Sequence, residues 1–178
     1  MINKLNYSQL KRIYKEHMKK DFPSDELKPY ALIYRNIKNN ECIALGYYED
    51  NILKGYATIM IAGNALLLDY YAILSEYRNQ GLGTSFLKEL SDYFKDYDVL
   101  LIESESEDTP VARKRINFYK RCGCKDSGVR GTLYFVDYVL LYKELSKTYT
   151  KEEIEDVIHD TYHIVYPFFE NTKFLIFH

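Results

Sequence analysis

Apolar residues recur along this chain at two spacings, and each change of spacing marks an element. Leu10, Ile13, Tyr14 and Met18 fall at helical spacing. Asn6 with Gln9 three residues on makes a capping signal in front of them. Pro23 predicts the end of that helix, because the residue before a proline is pushed out of the α region. Ser24 is placed to cap a second helix, with Asp25 and Glu26 in its first turn, where the helix dipole favours acids. Leu27, Tyr30, Ala31, Tyr34 and Ile37 would be its buried stripe, and Asn39-Asn40 its end.

The period then changes. Residues 41–48 and 52–61 read as strands on either side of Glu49-Asp50-Asn51, a hairpin turn. Gly63-Asn64 turns the chain into a third strand, so an antiparallel meander is predicted. Leu82, Phe86, Leu90, Phe94 and Tyr97 step along one face of a helix running to about residue 96. Residues 99–102 are a short, wholly apolar run and read as a buried strand. An acidic loop over residues 103–108 follows. Pro110 suits the start of the next helix and Gly123 its C-cap. Two strands are predicted near residues 124–129 and 133–142. The last segment opens with Thr150 and Glu153 as a capping box. Ile154, Val157, Ile158, Tyr162 and Val165 form its stripe up to Pro167, and residues 173–177 suit a terminal strand.

Composition narrows the class. Of 178 residues, 47% are hydrophobic and 28% charged, which is ordinary for a globular chain. The net charge of −2 comes from interleaved acids and bases, not from the clustered basic face that nucleic-acid binding needs, so no nucleic-acid partner is expected. No long apolar run predicts a membrane span, and no apolar segment follows a basic one at the start. Three cysteines suit a reducing compartment, so a cytoplasmic location is expected. The 19 tyrosines, with no tryptophan, suit half-buried packing or a tyrosine-lined cleft.

The candidate chemistry gathers in residues 69–84, DYYAILSEYRNQGLGT. An apolar strand gives way to a polar turn, then to Gly81-Leu82-Gly83-Thr84 and a helix. Glycines let backbone approach a ligand, and the first N–H groups of a helix have no partner within it. Together they suggest a cradle for a pyrophosphate. A P-loop is excluded, because G-x-x-x-x-G-K-[ST] is absent. A dinucleotide fingerprint is disfavoured, because Phe86 stands where its third glycine belongs. By itself the glycine pair would be a plain turn.

Two motifs lie close enough to be read together. Arg78-Asn79-Gln80-Gly81-Leu82-Gly83 fits R-x-x-G-x-G, and about 35 residues on stands Phe118-Tyr119-Lys120-Arg121-Cys122-Gly123. The pair is similar to the acetyl-CoA signature of the GNAT superfamily of N-acetyltransferases, and the likeness covers roughly residues 2–144. Ser75, Ala112 and Cys124 stand where that family often has Pro, Asn and Phe. The resemblance implies an α/β (α+β) fold: a mixed, mostly antiparallel central sheet with helices on both faces, here with a C-terminal helical extension. Residues 1–145 would be the acetyltransferase domain, and 146–178 an extension packed on it or on a partner subunit.

The resemblance also implies roles. The backbone of Tyr71, Ala72 and Ile73 would pair with the pantetheine arm of acetyl-CoA. Arg78, Asn79, Gln80, Gly81, Leu82, Gly83 and Thr84 would wrap the pyrophosphate, with Asn117 as a further cofactor contact. Tyr119 would sit near the sulfur and protonate the departing thiolate. The other reading of Tyr119 is a core tyrosine. An attacking amine must lose a proton, and Asp69, Glu103 and then Glu105 are the candidate bases or amine anchors. The expected reaction moves acetyl from acetyl-CoA to a primary amine, on a small molecule or a peptide, by direct attack in a ternary complex. No metal is implied. The alternative is a non-catalytic acyl-CoA sensor, and the C-terminal stripe is a candidate homodimer face. His159 and His163 have the i, i+4 spacing of a zinc pair but read better as a surface face. Cys122 and Cys124 read as structural.

Overall fold

Left-handed backbone at Asp50 and Asn51, with φ of 50° and 61°, folds the first hairpin. It joins β2 (Cys42–Glu49) to β3 (Ile52–Ala62), and Glu49 pairs directly with Ile52. Two central residues with positive φ make a type I′ turn, whose twist matches that of the strands it connects. In this computed structural model the described residues are 1–178 without 25, 107, 134–135, 167–174 and 178, and 133 and 175–177 are described as backbone. The chain divides into two units, Met1–Ile61 with Asp69–Tyr93, and Ala62–Leu68 with Phe94–His178.

In the first unit, β1 (Ile2–Lys4) lies antiparallel to β2, which lies antiparallel to β3. Gly63, with φ of 61°, turns the chain into β4 (Ala65–Ile73). Residues 69–73 of β4 belong to this unit, and the Leu74 N–H donates to the Lys54 carbonyl at 2.9 Å. The approach of β3 to β4 is close. A Cβ built on Gly55 would lie 2.6 Å from the Ala72 carbonyl oxygen.

Asn6 and Gln9 make the reciprocal cap of α1 (Tyr7–Ile13), each bond 2.9 Å. The helix widens into a π turn over Tyr14–Met18 and finishes as α2 (Lys19–Asp21). α3 (Tyr30–Lys38) starts later than the sequence suggested. Ser24 does not cap it, and Asp25 lies outside the described residues. Pro29 is the cause, since it disfavours α backbone at Lys28, and the helix begins directly after it. Leu10, Ile13, Met18 and Ile33 of these helices pack with Ala44, Tyr56, Tyr70 and Ala72 of the strands. α4 (Leu82–Tyr93) is fixed by Phe86, which stacks between Tyr47 and Tyr71 at centroid distances of 4.9 and 5.0 Å. It ends at Tyr93, short of residue 96, and Phe94 and Tyr97 close a turn instead.

In the second unit, the first half of β4 pairs in parallel with β5 (Val99–Glu105), from Ala65↔Val99 to Leu68↔Ile102. β5 pairs antiparallel with β7 (Val136–Glu144), and β7 with β6 (Lys125–Leu133). β6 is interrupted by an irregularity between Asp126 and Arg130, and its far edge carries β8 (Leu175–Phe177). The predicted acidic loop is therefore half strand: Glu103, Ser104 and Glu105 pair with Leu140, Val139 and Tyr138. Pairing with a neighbouring strand outweighs a polar composition. α5 (Pro110–Arg121) has Thr109 as its cap and Gly123, with φ of 84°, after its end. α6 (Lys151–Val165) has both bonds of the Thr150–Glu153 capping box and buries Ile154, Ile158, Thr161 and Tyr162. It stops before Pro167, which lies with Lys173 outside the described residues.

Gly55→Ala should destabilise the protein by about 1–3 kcal/mol, because a backbone carbonyl cannot move aside as a side chain would. A denaturant melt measures it, and an unchanged midpoint would refute the tight contact.

Candidate active site

Residues 69–84 form a strand, a short 3₁₀ turn (Ser75–Tyr77), a polar turn and α4. Asn79 and Gly81 are both left-handed, with φ of 61° and 80°. No atom lies within 4 Å of a Cβ built on Gly81, so glycine serves the backbone angle there and not a lack of room. Arg78, Asn79, Gln80, Gly81 and Thr84 are exposed, and Leu82 and Gly83 are half-buried. The N-terminus of a 12-residue helix thus opens on an exposed turn. Its first-turn N–H groups and dipole suit an anion.

Side chains brace this turn. The Tyr71 hydroxyl donates to the Gly83 carbonyl. Arg78 donates from Nε to the Ile73 carbonyl at 2.9 Å and from its terminal nitrogen to Asp21 at 2.6 Å. Asp21 also accepts from the Tyr56 hydroxyl at 2.7 Å, so one carboxylate ties the end of α2 to β3 and to the turn. Burial and this carboxylate push the Tyr56 phenol far above the tyrosine range. Arg78 therefore serves as a strut here, while Ala72 is buried and Ile73 half-buried on the strand behind it.

Asp69 is occupied. Its carboxylate, 7% exposed, accepts from Lys28 Nζ at 2.7 Å. Lys28 belongs to the segment between α2 and α3, and that segment is pinned three more times. The Lys28 N–H donates to the Tyr70 hydroxyl, the Tyr70 hydroxyl donates to the Glu26 carbonyl, and the Tyr14 hydroxyl donates to the Lys28 carbonyl. Burial raises the Tyr70 phenol above its usual range, so it stays protonated and can play both parts.

In the second unit, Glu103 is half-buried at the point where β5 runs past its parallel ladder. Its carboxylate accepts a hydrogen bond from the Tyr162 hydroxyl of α6. Glu105 is paired with Arg115 at 3.3 Å. Tyr119 is buried, at 5% exposure, on the inner face of α5, while its neighbour Asn117 is exposed. Burial holds the Tyr119 phenol above its ordinary range. Cys42 and Cys124 are buried, and desolvation pushes both thiols up to about 12, which suits structural roles. His159 and His163 are exposed, and among the described residues no cluster suited to a metal ion occurs.

Sequence reasoning missed Asp21, Lys28, Tyr56 and Tyr70 as polar partners, and it took Tyr162 only as stripe. Each partner lies far off in the chain, 59 residues in the case of Tyr162 and Glu103, so no local pattern reveals it.

The family model described as Acetyltransferase (GNAT) family matches residues 10–124. No curated protein matches the sequence significantly. Among solved structures, a Bacteroides thetaiotaomicron protein assigned to the GNAT family superposes with a TM-score of 0.76 at 20% identity, covering 93% of this chain and 98% of its own. The ribosomal-protein alanine N-acetyltransferase of Escherichia coli gives 0.65 at 14% identity, over 84% of this chain and 96% of that one. The spermidine N-acetyltransferase of Vibrio cholerae, solved with CoA and spermine, gives 0.65 at 15%, over 83% and 96%.

Lys28→Ala leaves the Asp69 carboxylate desolvated without its cation and should cost about 1–3 kcal/mol at neutral pH. Adding Asp69→Asn should recover most of that loss in a denaturant melt, because the orphaned charge is then gone. Additive losses in the double variant would contradict the pairing.

Proposed function

This chain belongs to the acetyltransferase (GNAT) family and is an acyltransferase, and we propose that it moves an acetyl group from acetyl-CoA to a primary amine by direct attack in a ternary complex. The observation that carries the reading is the exposed turn with left-handed Asn79 and Gly81 at the head of α4. Backbone N–H groups of residues 78–84 would hold the pyrophosphate, and the fit is favourable because the turn is solvent-facing and braced from behind by Arg78 and Tyr71. The backbone of Tyr71, Ala72 and Ile73 would pair with the pantetheine. The bound thioester supplies an activated acetyl carbon.

Of the two leading carboxylates, Glu103 is the better base. Asp69 is committed to Lys28 by an ion pair of 2.7 Å, and its carboxylate is only 7% exposed. Glu103 is half-buried and accepts from the Tyr162 hydroxyl. It takes the proton from the attacking ammonium, directly or through water. Asp69 instead anchors the segment before α3, where acceptor selection would lie. Tyr119 stays protonated because it is buried, and full transfer of its proton to a thiolate would be uphill. Its role is hydrogen-bond donation to the departing sulfur.

The neighbours named for spermidine and for a ribosomal-protein alanine suggest two acceptor classes, a polyamine and a peptide N-terminus. We read residues 1–145 as the transferase domain and 146–178 as an addition that serves it.

Release of CoA thiol should be followed against polyamines, small aromatic amines and short peptides. Turnover is expected with at least one class, and Tyr119→Phe should lower kcat about 10²-fold with the acetyl-CoA KM nearly unchanged. Acetyl-CoA binding by thermal shift without turnover on any amine would favour the sensor reading instead.

A further inference from the structure

The buried face of α6 ends on a polar contact that packing does not require. Ile154, Ile158 and Thr161 bury alongside Tyr162, which is 3% exposed. A phenol taken that far out of water must find an acceptor. Tyr162 donates to the Glu103 carboxylate, on β5. Two further phenols face Tyr162: Tyr166, one turn on with its ring centroid 5.6 Å away, and Tyr138 of β7. Along β5, the next acid on the same face is Glu105, which is held by Arg115. Among the described residues, Tyr162 donates to Glu103 with these two phenols beside it.

We propose that Tyr162 is a positioning residue for the reaction, holding the Glu103 carboxylate in its anionic, proton-accepting form and orientation, so that the C-terminal extension completes the base. This rests on the reading of Glu103 as the base. A hydrogen bond to the charged form of an acid favours that form. The donor must itself stay neutral, and burial together with the Glu103 charge pushes the Tyr162 phenol well above the usual tyrosine range. A fixed carboxylate also needs no reorganisation when the amine arrives.

The test is the acid limb of kcat/KM, along which activity rises with pH as the base loses its proton. Tyr162→Phe keeps the ring and deletes the donor. The limb should move up by about one pH unit, with acetyl-CoA KM unchanged. 3-Fluorotyrosine at position 162 keeps the shape and strengthens the donor, so the limb should move down, and this variant stands in if the phenylalanine variant folds poorly. Tyr166→Phe, at the C-cap of α6, should leave the limb in place. Glu103→Gln should abolish it.

If Glu103→Gln abolishes the limb and neither change at 162 moves it, the positioning role is wrong and the base assignment stands. If Glu103→Gln leaves the limb intact, the base assignment is wrong. A ¹³C-carboxyl titration of Glu103 in the wild-type and Tyr162→Phe proteins then judges the contact directly, and an unmoved titration would overturn it.

Discussion

A carboxylate removed from water must be given a partner, and three such partnerships tie peripheral segments of this protein to its strands. Asp21 takes Tyr56 and Arg78, Asp69 takes Lys28, and Glu103 takes Tyr162. Each joins a peripheral segment to a strand that carries a candidate site residue or to the turn beside one. Exposed ion pairs on the same surface, such as Lys151 with Glu155, have no comparable hold, since water and salt screen them.

These partnerships also differ in kind. Asp69 is tied to a lysine cation, whereas Glu103 accepts from a phenol. The turn before α4 is built differently again. Its side chains turn back as braces, Arg78 onto the Ile73 carbonyl and Gln80 onto the Glu76 carbonyl.

Much of this was legible in the residues. Asn6 with Gln9, Thr150 with Glu153, Pro110 and Gly123 marked helix ends where the structure has them, because caps are local chemistry. The hairpin at Asp50-Asn51 and the turn before α4 were legible for the same reason. The start of α3 was not, because Ser24 offered a plausible cap and the restriction imposed by Pro29 outweighed it. Nor was the extension of β5 through Glu105, whose acids look like a loop until β7 pairs with them. The Arg78 guanidinium bonds to Ile73 and to Asp21, the latter a contact across 57 residues that no window reaches. The family signature implied a ligand, while the electrostatic partners emerged only in three dimensions.

The strand order of the second unit bears on how the chain is made. β7 lies between β5 and β6, so the last of these three to leave a ribosome has to be laid between the other two. Residues 99–102 of β5, apolar throughout, have no partner along that edge while α5 and β6 are being synthesised. β6 cannot shield them, because its own partner is β7. The nascent chain thus carries a sticky edge for several tens of residues, the kind of surface that chaperones hold and that aggregation seeks. Closing that edge needs β7, which pairs with β5 on one side and β6 on the other.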